Sequence, residues 1–142
     1  MKISDVLRSK GTEVVTIRPD ESVDRLLEVL AERGVGALVV SADGESVVGI
    51  VSERDVVRHL HRHGAAVLSG PVSAIMTAEV TTCAADDAVE SLAQTMTQER
   101  IRHVPVVADG RLTAIVSIGD IVKHRISALQ SERDQLVEYI QQ

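Results

Sequence analysis

Two serine–aspartate pairs, Ser52 with Asp55 and Ser117 with Asp120, recur 65 residues apart in the stretches GIVSERDVV (from Gly49) and AIVSIGDIV (from Ala114). Ser-x-x-Asp at the start of a helix supports two chemistries. The serine can act as N-cap with the carboxylate three residues on, a capping box just before an apolar run. The same geometry also suits a ligand. Free N–H groups and the positive dipole end of a helix favour phosphate, and the hydroxyl reaches a phosphate or sugar oxygen. A carboxylate one turn in can accept from both hydroxyls of a ribose, as acidic residues do in dinucleotide folds. Aspartate reaches back to the cap nitrogen less well than glutamate, and both copies carry Asp, which leans towards a ligand. The cap remains the alternative at this point.

Other constellations carry less. GVGALV from Gly34 has dinucleotide-loop spacing, but an apolar strand follows it directly, so it fails as a fingerprint. His59 and His63 stand at i, i+4 without an apparent third metal ligand and read as a solvated helix end. Cys83 is alone, which excludes an intramolecular disulfide and a cysteine metal cage, and it reads as a small core residue. No Ser-His-Asp, paired-carboxylate or metal-ligand set stands out, so no catalytic residue, no metal and no enzyme activity is expected. A third "SERD", Ser131–Asp134, follows no strand and is a helical charge pattern.

Elements that position the two pairs emerge when the chain is laid on itself. Val23 meets Val89, Leu26 meets Leu92, Leu30 meets Met96, and Val39–Val40 meet Val106–Val107. Asp43–Gly44 meet Asp109–Gly110. Each copy opens with a β-rich stretch (13–17, 79–83). A helix follows, with apolar residues at i, i+3, i+4, i+7, capped by Asp20 or Ser22 and by Asp86 or Asp87. A strand, an Asp-Gly hairpin turn, a second strand and a helix complete it. The expected fold is therefore α/β, more strictly α+β: two β-α-β-β-α halves, 1–63 and 72–127, packed sheet to sheet. Residues 64–71 form a linker broken by Gly64, Gly70 and Pro71. The tail, 128–142, reads as an added amphipathic helix that packs on the body or on a partner chain.

Composition bounds the partners. The chain has 142 residues, no Phe or Trp, one aromatic (Tyr139) and a formal charge of −6. Missing aromatics argue against a base-stacking platform, and the negative charge against a phosphate-backbone surface. Any bound anion must sit in a local pocket. The start has no apolar signal region and no run approaches a membrane span, so a cytoplasmic protein with no nucleic-acid or membrane partner is expected.

In this arrangement the sequence resembles the CBS domain family, named after cystathionine β-synthase, in its tandem form. The resemblance covers nearly all of 1–127. It rests on VGALVVSADGESVVGIVSERDVV, on IRHVPVVADGRLTAIVSIGDIV and on the IMT at 75–77. It implies a pseudo-twofold pair with two clefts that in many members bind AMP, ADP, ATP, NAD-type dinucleotides or S-adenosylmethionine, sensing or regulating rather than catalysing. Carried over by position, Asp55 and Asp120 are the ribose acceptors of separate clefts, with Ser52 and Ser117 beside phosphate or ribose. Ile50 and Ile115 flank adenine, residues around Thr16 and Val80 read its edge, and Arg102 and His103 contact phosphate in the Asp55 cleft. No cofactor is required; AMP, ATP or NAD is the expected ligand. The first-copy counterparts of Arg102 and His103 are Gly36 and Ala37, so the Asp120 cleft should handle phosphate less well unless Lys123 or Arg125 turns inward. A homodimer, with the tail as a possible reinforcement, and an unidentified regulated protein are the expected partners. A ligand-free dimerisation scaffold of the same fold is the alternative.

Overall fold

The computed structural model describes residues 1–11 and 13–141. The first half comprises α1 (Ile3–Lys10), β1 (Thr16–Ile17), α2 (Val23–Arg33), β2 (Ala37–Val40), β3 (Gly49–Ser52) and α3 (Glu53–His63). The second comprises α4 (Val89–Glu99), β4 (His103–Ala108), β5 (Arg111–Ser117) and α5 (Ile118–Gln141). β1, β2 and β3 form one sheet, with Thr16 opposite Val39 in parallel and Leu38 opposite Val51 antiparallel. β4 and β5 form the second sheet. The expected opening strand at 79–83 is reduced to a single parallel bridge between Cys83 and Val106.

Local chemistry explains a difference between the hairpins. Asp109 and Gly110 both take positive φ, 52° and 77°, as a two-residue turn of this kind requires. In the first half only Gly44 does (φ 82°), and the connection widens to residues 41–48. Asp43 organises that loop, accepting from the N–H of Ser46 (2.8 Å) and of Glu45 (2.9 Å). These bonds hold its carboxyl well below the usual carboxylate range.

Apolar side chains collect in two clusters, and the clusters do not follow chain order. Ile3 and Val6 of α1 lie in the second core with Leu92, Val104 and Val116. Val72 and Ile75 lie in the first core with Leu26, Leu38 and Val51. Each opening segment clasps the start of a helix in the other half, α2 or α4. Val23 N donates to Gly70 O (3.0 Å) and Val72 N to Glu21 O (2.8 Å). In the counterpart, Val89 N donates to Met1 O and Ile3 N to Asp87 O, both at 3.0 Å. Helix-start amides left without intrahelical partners are thus satisfied across the halves. Ser22 caps α2, accepting from Arg25 N, but neither Asp86 nor Asp87 caps α4. Its N-cap is Ala88, and Asp87 instead accepts from Ala84 N.

The first sheet is covered on both faces: Leu38 and Val40 enter the first core, while Ala37 and Val39, which join neither core, are also buried. Two further expectations change. Residues 64–71 are not a loose linker, because a 3-10 turn at Ala65–Ser69 packs Val67 and Leu68 on the first core. Nor is the tail a separate helix: α5 runs unbroken from Ile118 to Gln141, since no Gly or Pro interrupts it beyond Gly119. Among the described residues no helix is long and apolar enough to cross a membrane.

Candidate functional site

A cavity of about 830 Å³ opens between the halves at the start of α3. Six of the residues singled out from the sequence line it together: Ile50, Ser52, Asp55, Val80, Arg102 and His103. Strands β2, β3 and β4 and helices α3 and α4 all contribute to it. Ile50 and Ser52 come from β3, Asp55 from the first turn of α3, and His103 from the start of β4. Val80 lies on the segment leading into the second half, which Thr77 pins to β3. Ile50 N donates to Thr77 O (3.0 Å), and Thr77 N donates to Ile50 O (2.9 Å).

The cap and the site use the same residues without competing. Ser52 N donates to Asp55 Oδ2 (2.8 Å), Ser52 Oγ lies 3.1 Å from that same oxygen, and Asp55 N donates to Ser52 Oγ (3.3 Å). The capping box is therefore complete on Oδ2. Asp55 lines the cavity, and its Oδ1 has no hydrogen-bond partner among the described residues. The capping reading of Ser-x-x-Asp is realised on one carboxylate oxygen, which leaves the other without a partner among the described residues.

Sequence reasoning missed three cavity-lining arginines, Arg54, Arg58 and Arg100. Arg54 and Arg58 stand at i, i+4 on α3, a signal present in the sequence; Arg100 follows α4 at its C-cap. Arg100 is held in the left-handed conformation (φ 57°), where its first-half counterpart is Gly34 (φ 63°). A non-glycine there costs of order 1 kcal/mol, and the guanidinium it carries stands at the cavity. Glu53, Glu79 and Glu99 also line the cleft, so its formal charges nearly balance. Yet among the described residues no ion pair joins these carboxylates to Arg54, Arg58, Arg100 or Arg102. Glu99 accepts instead from Thr81 Oγ1 (2.7 Å). The guanidinium groups are free for an incoming anion.

His103 is largely shielded. Burial pushes its imidazole below the ordinary histidine range, and the nearby Lys10 charge adds to that effect against Asp120. It presents a neutral ring at neutral pH. Gly36 faces it: a Cβ there would make only ordinary contacts, 3.7 Å from His103 Cε1 and 3.8 Å from Glu53 Oε2.

The second expected cleft is different. Ser117, Asp120, Ile115 and Thr16 do not line the cavity. Thr16 pairs with Val39 inside the first sheet. Asp120 caps α5 as expected, accepting from Ser117 N (2.8 Å), but Lys10 Nζ also reaches it at 2.6 Å and donates to Ile115 O at 2.5 Å. Burial by itself raises the Asp120 carboxyl; the Lys10 and Ser117 hydrogen bonds outweigh that and hold it below its usual value. Neither Lys123 nor Arg125 forms an ion pair there among the described residues.

His59 and His63 stack at the end of α3, ring centroids 5.9 Å apart, and Cys83 is half-buried against the second core with its thiol pushed up by burial to about 11.

Comparison with known proteins places this geometry. The family model described as CBS domain matches residues 3–62 and 72–127. The chain is 36% identical over 147 residues to a CBS domain-containing protein, CBSX3, named as mitochondrial, of Arabidopsis thaliana, covering 98% of this chain and 71% of that one. The crystal structure of the CBS-domain containing protein ATU1752 from Agrobacterium tumefaciens superposes with a TM-score of 0.84 at 44% identity, covering 88% of this chain and 99% of that one. The CBS domain pair of protein MJ0100, solved in complex with 5'-methylthioadenosine and S-adenosyl-L-methionine, superposes with a TM-score of 0.77 at 25% identity over 87% of this chain and 98% of that one.

Proposed function

The chain belongs to the CBS domain family, carrying the domain twice, and from that membership we propose that it is a sensor for a phosphorylated adenosine ligand, held in the cavity at Asp55. Pairs of this domain are regulatory ligand-binding modules rather than catalysts. The observation that carries the reading is the capped Asp55, whose second oxygen stays unspent beside four unpaired guanidinium groups. Asp55 Oδ1 accepts the ribose hydroxyls, Ile50 flanks the base, Val80 reads its edge, and Arg54, Arg58, Arg100 and Arg102 receive phosphate. MJ0100 binds ligands without phosphate; free arginines favour AMP, ADP, ATP or NAD here, because an arginine–phosphate pair is charge-assisted and often bidentate.

Calorimetric titration with adenosine, AMP, ADP, ATP, NAD and S-adenosylmethionine tests this. The expected order is affinity rising with each added phosphate, at one ligand per chain. Tighter binding of S-adenosylmethionine than of ATP overturns the charge argument. No binding by any of them favours the ligand-free scaffold.

The partner we infer first is a second copy. On α5 the residues Val122, Ile126, Leu129, Leu136 and Ile140 are exposed, each by 48% or more. Their spacing of four, three, seven and four, with Arg133 in the gap, keeps the 3.5-residue repeat of a helix-pairing seam. Such a stripe on an isolated surface helix calls for cover. Sedimentation equilibrium should give a dimer for the wild type and a monomer for the double variant Leu136→Ser/Ile140→Ser; a monomeric wild type contradicts it.

A further inference from the structure

We infer that Lys10 fixes the module as single-site, its ammonium standing in the Asp120 cleft for the ligand that the Asp55 cleft leaves room for. The inference deepens the adenosyl-sensor reading and rests on it.

The two motifs are equivalent in sequence but not in what surrounds them. At Ile50 the backbone of Thr77 takes both the N–H and the carbonyl. The counterpart carbonyl, Ile115 O, is taken by Lys10 Nζ, and the same ammonium binds Asp120 Oδ2 at 2.6 Å. One cation thus engages the carbonyl beside the expected base position and the carboxylate expected to accept a ribose. Both side chains are partly covered, with 29% of the Lys10 side chain and 23% of the Asp120 side chain exposed. Helix α1 aims the lysine there. Ile3 and Val6 are sealed in the second core, and Lys10 lies seven and four residues on, which puts it on the same helix face. The anchor is apolar and fixed, so the ammonium is delivered by the fold and not by a mobile tail.

Displacing Lys10 would break the 2.6 Å ion pair and leave the half-buried Asp120 carboxylate without its cation, which disfavours any ligand lacking a cation of its own. Arg54, Arg58, Arg100 and Arg102 all line the Asp55 cavity, so the site left by removing Lys10 should take an uncharged purine nucleoside and not a nucleotide.

Three lysines, Lys2, Lys10 and Lys123, make a direct test possible. Under limiting acetic anhydride, peptide mass spectrometry of the wild type should show Lys10 acetylated at least about tenfold more slowly than Lys123, with the protection mostly lost in Asp120→Asn. In calorimetry the wild type should bind one ADP per chain, and Lys10→Met should gain a second equivalent for adenosine but not for ADP. Lys10 reacting as fast as Lys123, a wild type that binds two equivalents, or a Lys10→Met protein that gains none overturns the inference. If ADP and adenosine bind neither protein, the adenosyl reading is what fails, and the acetylation rates still decide whether Lys10 fills the cleft.

Discussion

Asp55→Asn lowers affinity for ADP by about 10- to 100-fold while the melting temperature of the free protein stays within about 2 °C of wild type. The asymmetry follows from the two oxygens of one carboxylate. An asparagine keeps one oxygen for the N–H of Ser52 at the helix start, and Asn is as good a cap residue as Asp. Its other terminal atom becomes an NH2, a donor where the ribose hydroxyls need an acceptor. Hydrogen bonds to a charged group contribute about 1.5–3 kcal/mol each, so losing one of them gives the stated range. Differential scanning fluorimetry and titration calorimetry on the same preparation read both halves of the expectation. Unchanged affinity would leave Asp55 as a cap and nothing more. At Asp120 the same replacement should not touch ADP affinity, because Lys10 already occupies that carboxylate.

Gly49→Ala destabilises the fold by about 2 kcal/mol, in the range for forcing an extra carbon into a filled space, and lowers the melting temperature by roughly 5–8 °C for a chain of this size. Gly49 begins β3 where the Thr77 segment crosses it. An added Cβ would lie 2.6 Å from Met76 Sδ and 3.0 Å from Thr77 O. The methionine can swing away. The carbonyl cannot, because it accepts from Ile50 N, and that bond fixes the segment to the sheet. Ile50 and Thr77 both line the cavity, so ADP affinity should fall together with stability. Gly119→Ala provides the control: in the first turn of α5 its Cβ meets only Ser117 Oγ at 3.6 Å, and removing a helical glycine should leave stability equal or slightly higher. A Gly49→Ala protein that melts like wild type would show that the Thr77 crossing yields freely.

That Ile50, Ser52, Asp55, Val80, Arg102 and His103 share one cleft was implied by the resemblance to the CBS family; the repeated units and their periodic helices were legible in the residues themselves. These are matters of local pattern: apolar spacing sets a helix face, Asp-Gly sets a turn, and a duplicated motif announces a pseudo-symmetric partner. The sequence was less able to fix strand extent, because 79–83 has strand-forming residues but finds only one bridging partner in a two-stranded sheet. The tail's continuity with α5 was legible in the lack of any breaker after Gly119, though the amphipathic change near 128 masked it. The exchange of opening segments between the halves, with Ile3 and Val6 in the second core and Val72 and Ile75 in the first, became visible only in the packed molecule. The same packing decided that one Ser-x-x-Asp faces a cavity and the other a lysine. Lys10 and Asp120 stand 110 residues apart, so no local rule could pair them. The physical reason is that helix and turn signals act over a few residues, whereas a cleft is made by surfaces that meet only after each core has closed.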